Sequence, residues 1–273
     1  MTAARLAAAL LLAFAAAAGL RQGSAAADAL DAIRSRGVLI VGTKADYQPF
    51  GFRDASGAIV GFEPDLAAAV AHKLEVKLEL VPVVAANRLE LLAAGKVDLV
   101  IATMNDTPER RKLADFVEPS YYASGVNILA AKSLNLHVWQ ELARKRICTI
   151  GAAFYVEEIR RRYDPEILTF QYTDEIYAAL KAGSCIAALY DDTALIGQLQ
   201  KPEWSSYEMP FRSILVEPWG MAVKLGETPF ATLLSDLAKD WHKSGRIQEL
   251  ERKWHIPASG FAEEMHRRYL DIK

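Results

Sequence analysis

Short apolar runs alternate along this chain with segments whose apolar positions recur at helical spacing, and that alternation predicts an α/β fold. Residues 38–41 read as a strand, and residues 51–62 as a hairpin turning on Asp54-Ala55-Ser56-Gly57. Pro64 opens a helix on which Leu66, Val70 and Leu74 share a face, followed by a strand over 78–81. A helix over 89–94 stops at Gly95, a residue suited to the position after a helix end. Residues 97–102 form an apolar run of the kind a sheet covered on both faces requires.

A second set follows Tyr121-Tyr122, with strands over 147–150, 167–170 and 186–190 and helices over 155–162 and 174–182. Asp174 reads as the N-cap of the second of these helices and Gly183 as its stop. Residues 219–223 read as one more strand, then come helices over 229–243 and 246–254 and a final surface helix after Pro257. Two α/β lobes of roughly 90 residues, joined near 120–125, fit this pattern. Periodicity leaves open whether the last strand and helices return to the first lobe.

The first 27 residues stand apart. Arg5, an Ala- and Leu-rich run over 6–20 and small residues at 24–27 make the pattern of a secretory signal peptide. Setting them aside leaves 246 residues and takes the formal charge from −2 to −4, because Arg5 and Arg21 go with them. That mild acidity, without a basic stripe, argues against nucleic acid as a partner. For an exported chain, Cys148 and Cys185 are either one disulfide or two buried thiols, and composition alone does not choose.

The candidate chemistry lies in two segments, VGTKADYQPFGFRDASGAIVGFEPDL (41–66) and GKVDLVIATMNDTPERR (95–111). Each places polar residues where a strand ends, and in an open parallel sheet such loops meet in the ligand crevice. Thr107 reads as an N-cap and Pro108 as a first helical residue, which puts the Arg110 guanidinium in a helix's first turn. That arrangement suits a small anion. GxSxG, HExxH, Walker and dinucleotide-binding motifs do not occur, and His72, His137, His242, His255 and His266 are scattered.

Taken in order, VGTKADYQPFGF, VGFEPDL, GKVDLVIATM, TPERR, DFVEPSYYASG and EPWGMAV resemble the extracytoplasmic amino-acid-binding proteins of ABC importers. The resemblance covers roughly residues 31–254. It implies two doubly wound α/β lobes joined by two hinge segments, with 28–119 and 218–273 forming a discontinuous first lobe and 120–217 the second. It further implies a periplasmic, monomeric protein that holds an amino acid between its lobes and passes it to a membrane permease, without cofactor or catalysis. A cyclohexadienyl or arogenate dehydratase on the same fold is the alternative. Some of those enzymes carry a glutamate where this chain has Thr193-Ala194-Leu195-Ile196.

Matched residue by residue, the resemblance makes Tyr47 the aromatic over the ligand, and Thr103 and Asn105 contacts to its amino and carboxyl groups. Arg110 becomes the carboxylate fork and Asp191 the ammonium acceptor, with Asp192, one position on, as the alternative acceptor or otherwise a helix N-cap. The chain departs from the family at 151–155, Gly-Ala-Ala-Phe-Tyr, where hydroxyl donors are reduced to Tyr155 and backbone donors around Ala153 must serve, and at Ala85, where relatives carry an aromatic. Lys44 and Arg88 match basic positions of some acidic-amino-acid binders, so the implied ligand is aspartate or glutamate; a neutral polar amino acid follows if these cations pair with Asp46, Glu63 or Glu90 instead. The resemblance also implies a disulfide between Cys148 and Cys185, on neighbouring strands of the second lobe.

Overall fold

A computed structural model describes residues 28–270, so the signal peptide expected over 1–27 lies outside the described residues. Helix α1 (Ala29–Arg36) is followed by β1 (Val38–Thr43), β2 (Asp46–Tyr47), β3 (Gly51–Arg53), β4 (Ile59–Val60), α2 (Phe62–Leu74), β5 (Lys77–Pro82), α3 (Arg88–Ala93), β6 (Leu99–Val100) and β7 (Asp115–Phe116). β8 (Tyr122–Ala131), β9 (Arg146–Ile150), α4 (Val156–Tyr163), β10 (Glu166–Phe170), α5 (Thr173–Lys181), β11 (Ala187–Asp191), α6 (Asp192–Leu199), β12 (Tyr207–Glu208) and β13 (Ile214–Trp219) come next. β14 (Ala222–Val223), α7 (Thr228–Ser244), α8 (Arg246–Lys253) and α9 (Gly260–Leu270) close the chain.

Two sheets organise these elements. One runs β5-β1-β6-β14-β7 and the other β10-β9-β11-β8-β12, with β13 also paired to β8. β1 lies between β5 and β6 and is parallel to both, and β9 lies likewise between β10 and β11. The chain therefore leaves each sheet in opposite directions on either side of its central strand, and the loops after these strands open a crevice. The crevices of the two lobes face one another. Gly51 is needed where the β2–β3 hairpin runs over the loop carrying Lys44, because a Cβ there would strike the Lys44 carbonyl.

The lobes are joined by two strands lying side by side. β13 pairs antiparallel with β8, with Trp219 opposite Tyr122. Beyond them the Tyr121 N–H donates to the Trp219 carbonyl (3.0 Å) and the Val117 N–H to the Met221 carbonyl (2.9 Å). Residues 219–223 are accordingly not one strand. Trp219 ends β13 in the second sheet, and Ala222 begins β14 in the first, antiparallel to β6. This split settles what periodicity left open: the closing strand returns to the first sheet.

Three other local expectations change. The helix expected after Thr107 is a single 3-10 turn over Arg110–Lys112, although the Thr107 hydroxyl does accept the Arg110 N–H at 3.3 Å. α5 starts at Thr173 with Tyr172 in the cap position, so Asp174 lies in its first turn and is not its cap. The regular pairing expected over 97–102 covers only Leu99–Val100. Cys148 and Cys185 are joined, with Cα atoms 5.8 Å apart; Cys185 precedes β11 and is not within it. No helix among the described residues is long and apolar enough to cross a membrane.

Candidate functional site

Seven of the eight residues expected at the site line one cavity between the lobes. Lys44 follows β1, Arg88 opens α3, and Thr103, Asn105 and Arg110 follow β6; Ala153 and Asp191 face them from the ends of β9 and β11. Ala85, Phe154 and Tyr155, at positions where the chain departs from the family, also line it, as do Ile150 and Tyr190, which no motif in the sequence marks. Tyr47 is the exception. It lies buried beside the cavity, its ring 5.3 Å from that of Tyr190, and its hydroxyl bridges the lobes by donating to Asp191 Oδ2 at 3.1 Å and meeting Thr193 Oγ1 at 2.7 Å.

The cations are held, not free. Lys44 Nζ pairs with Asp46 Oδ1 at 2.7 Å. Arg88 is buried and aims one terminal nitrogen at the carbonyls of Ala102 and Thr103, while its Nε has no partner. Burial, with Arg110 nearby, pushes the Arg88 guanidinium down to about 10. Arg110 Nη1 donates to the Asn105 carbonyl at 2.9 Å, and burial lowers its pKa while Asp191 opposes that shift. Asn105 Nδ2 is a second buried donor without a partner at this cavity.

Asp191 is the carboxylate that faces these groups. Burial raises it to about 7, against the Tyr47 hydrogen bond, which favours its ionised form. It occupies the N-cap position of α6 without a side-chain capping bond, which leaves its oxygens to the cleft. Asp192 points elsewhere, accepting the Ser124 hydroxyl (2.7 Å) and the Gly125 N–H (3.1 Å) from β8. It is therefore not a cap, and it fastens α6 to the strand that crosses between the lobes.

Asp46 has a role that its sequence neighbourhood did not announce. Its Oδ2 accepts both the backbone N–H (3.0 Å) and the hydroxyl (3.1 Å) of Thr173, so a first-lobe carboxylate caps the second-lobe helix α5. Together with Tyr47–Asp191, this contact links the two lobes across the crevice. The arrangement is suited to enclosing a small ligand bearing both charge signs: donors gather on one side and a buried carboxylate waits on the other.

Comparison with known proteins finds relatives among amino-acid-binding proteins. The chain is 29% identical over 233 residues to the ABC transporter glutamine-binding protein GlnH of Bacillus subtilis, covering 83% of this chain and 84% of that one. It is 33% identical over 205 residues to a glutamine-binding protein of Geobacillus stearothermophilus, covering 72% and 77%. The crystal structure of the ancestral amino acid-binding protein AncCDT-1, a precursor of cyclohexadienyl dehydratase, superposes with a TM-score of 0.74 at 30% identity, covering 84% of this chain and 99% of that one. The model of the bacterial extracellular solute-binding proteins, family 3, matches residues 39–257, and the chain belongs to that family of binding proteins.

Proposed function

We propose that this protein binds an acidic amino acid, aspartate or glutamate, in the cleft between its lobes and delivers it in the periplasm to the permease of an ABC importer. The observation that carries the reading is the excess of donors around one facing carboxylate. Lys44, Arg88 and Arg110 line the cavity opposite Asp191, and Arg88 Nε and Asn105 Nδ2 have no protein partner. A zwitterion needs one group of each sign, so the surplus suits a second ligand carboxylate. Arg110 would fork the α-carboxylate and Asp191 receive the α-ammonium. A ligand touching both lobes favours the closed state, in which the Asp46–Thr173 and Tyr47–Asp191 contacts are made.

A second reading, a neutral amide such as glutamine, has its own observation. Asp46 already neutralises Lys44 at 2.7 Å, which removes one cation from the surplus. Calorimetric titration with glutamate, aspartate, glutamine and histidine separates the two. Equal or tighter binding of glutamine or histidine overturns the acidic reading, and Lys44→Asp is expected to weaken an acidic ligand far more than a neutral one. A dehydratase reading finds no support at Thr193, whose hydroxyl meets that of Tyr47 at 2.7 Å, or at the apolar Ala194-Leu195-Ile196 that follows.

A further inference from the structure

Glu63, the second residue of α2, is fully buried directly behind the cavity wall. Its Oε1 accepts the Thr103 backbone N–H at 2.6 Å and the Tyr121 hydroxyl, and Oε2 has no partner. Thr103 lines the cavity with φ +46°, a left-handed conformation unfavourable for a β-branched residue. Glu63 holds the N–H of that residue while Arg88 donates to its carbonyl at 3.3 Å, so the strained residue is gripped from both sides.

The charged groups facing Glu63 are Arg88 from α3 and Lys44 from the loop after β1; the hydroxyl of Tyr121 comes from the crossing segment. Both cations also line the ligand cavity. A negative charge at Glu63 therefore offsets the same positive charge that a ligand carboxylate would use.

We propose that Glu63 is a positioning residue of the ligand site, holding Thr103 in its left-handed conformation and setting, by its own charge, how strongly the site prefers an acidic over a neutral amino acid. The charge-setting half rests on the amino-acid reading given above. Burial raises the Glu63 carboxyl to about 7, against hydrogen bonds from Tyr121 and Thr103 and the charges of Arg88 and Lys44. The group thus changes charge near neutral pH. Protonated, it leaves the cations to the ligand; ionised, it offsets them, and glutamine gains on glutamate.

The test compares wild type with Glu63→Gln, which keeps an acceptor for Thr103 and Tyr121 but no charge. Calorimetry with glutamate and with glutamine is run at pH 5.5 and pH 8.5. Comparing the two proteins at the same pH cancels the titration of Asp191. Glutamate affinities are expected to agree at the lower pH, and at the higher pH the variant binds glutamate tighter by on the order of tenfold, as for one charge within about 10 Å at an effective dielectric near 20. Glutamine affinities stay matched at both. A glutamate ratio that does not change with pH overturns charge-setting.

The positioning half is read without ligand, by hydrogen exchange at the Thr103 amide. Protection in wild type and Glu63→Gln, with fast exchange in Glu63→Ala, is the expected result; equal exchange in all three overturns it. Should wild type bind no amino acid, the functional reading and the charge-setting built on it fall together, while the exchange measurement still decides whether Glu63 positions Thr103.

Discussion

Replacing Arg110 by alanine asks the cleft to hold a ligand carboxylate without its fork. Leaving a desolvated charge unpaired costs about 3–5 kcal/mol, roughly two to three and a half decades in Kd. The lower end is expected, because Arg88 lines the same cavity and can answer part of the charge. The ligand-free protein should feel the change little. Arg110 gives up its 2.9 Å bond to the Asn105 carbonyl, a net loss of about 1 kcal/mol for a hydrogen bond of this kind. Against that, its charge is one cause of the depressed Arg88 pKa, and removing it relieves that repulsion. The two effects oppose each other, so the melting temperature should stay within about 4 °C of wild type. Calorimetry with the preferred amino acid and a thermal melt of the free protein together make the measurement. A Kd within threefold of wild type refutes the clamp, and loss of the folded state refutes the claim that Arg110 serves binding and not folding. Arg110→Lys, which keeps the charge but not the planar fork, is expected to fall between the two.

Three further outcomes follow from the same structure. The Cys148–Cys185 bridge closes a loop with a sequence separation of 37, so the double alanine variant should lose about 4 kcal/mol in urea unfolding; a loss below about 1 kcal/mol would set aside the chain-entropy account. Asp191 binds its proton more tightly folded, at about 7, than unfolded, near 3.8, so its contribution to stability is lost as pH rises across that window; Asp191→Asn should therefore melt higher than wild type at pH 8 by more than at pH 4, and equal differences would contradict the burial argument. Asp46→Asn weakens the cap that the first lobe places on α5 and is expected to widen the distance between lobes in the ligand-free protein, read by fluorescence energy transfer across the cleft; an unchanged distance would show that the contact does not hold the lobes together.

What the sequence determined by itself is the set of elements whose burial follows a local period. β1, α2, the three strands β9, β10 and β11, and the helices after β10 and β14 appear close to where apolar spacing and glycine stops put them. The cluster of Lys44, Arg88, Thr103, Asn105, Arg110 and Asp191 was legible too, through resemblance, since each stands at a strand end or helix start that a doubly wound sheet turns toward one crevice. β8 was not legible. Ser124, Gly125 and Asn127 interrupt its apolar run, yet all ten residues from Tyr122 are in strand because β11 and β13 pair with it on both sides. Residues 219–223 read as one strand, and only pairing shows that Trp219 belongs to one sheet and Ala222 to the other. Glu63 and Asp46 were legible only as possible partners for Lys44 or Arg88. Asp46 does pair with Lys44, but its other oxygen also caps a helix 127 residues away, and Glu63 is fully buried behind Thr103. Periodicity records which face of a segment is covered; which distant segment covers it, and which polar group must then find a partner there, is decided only when the two lobes come together.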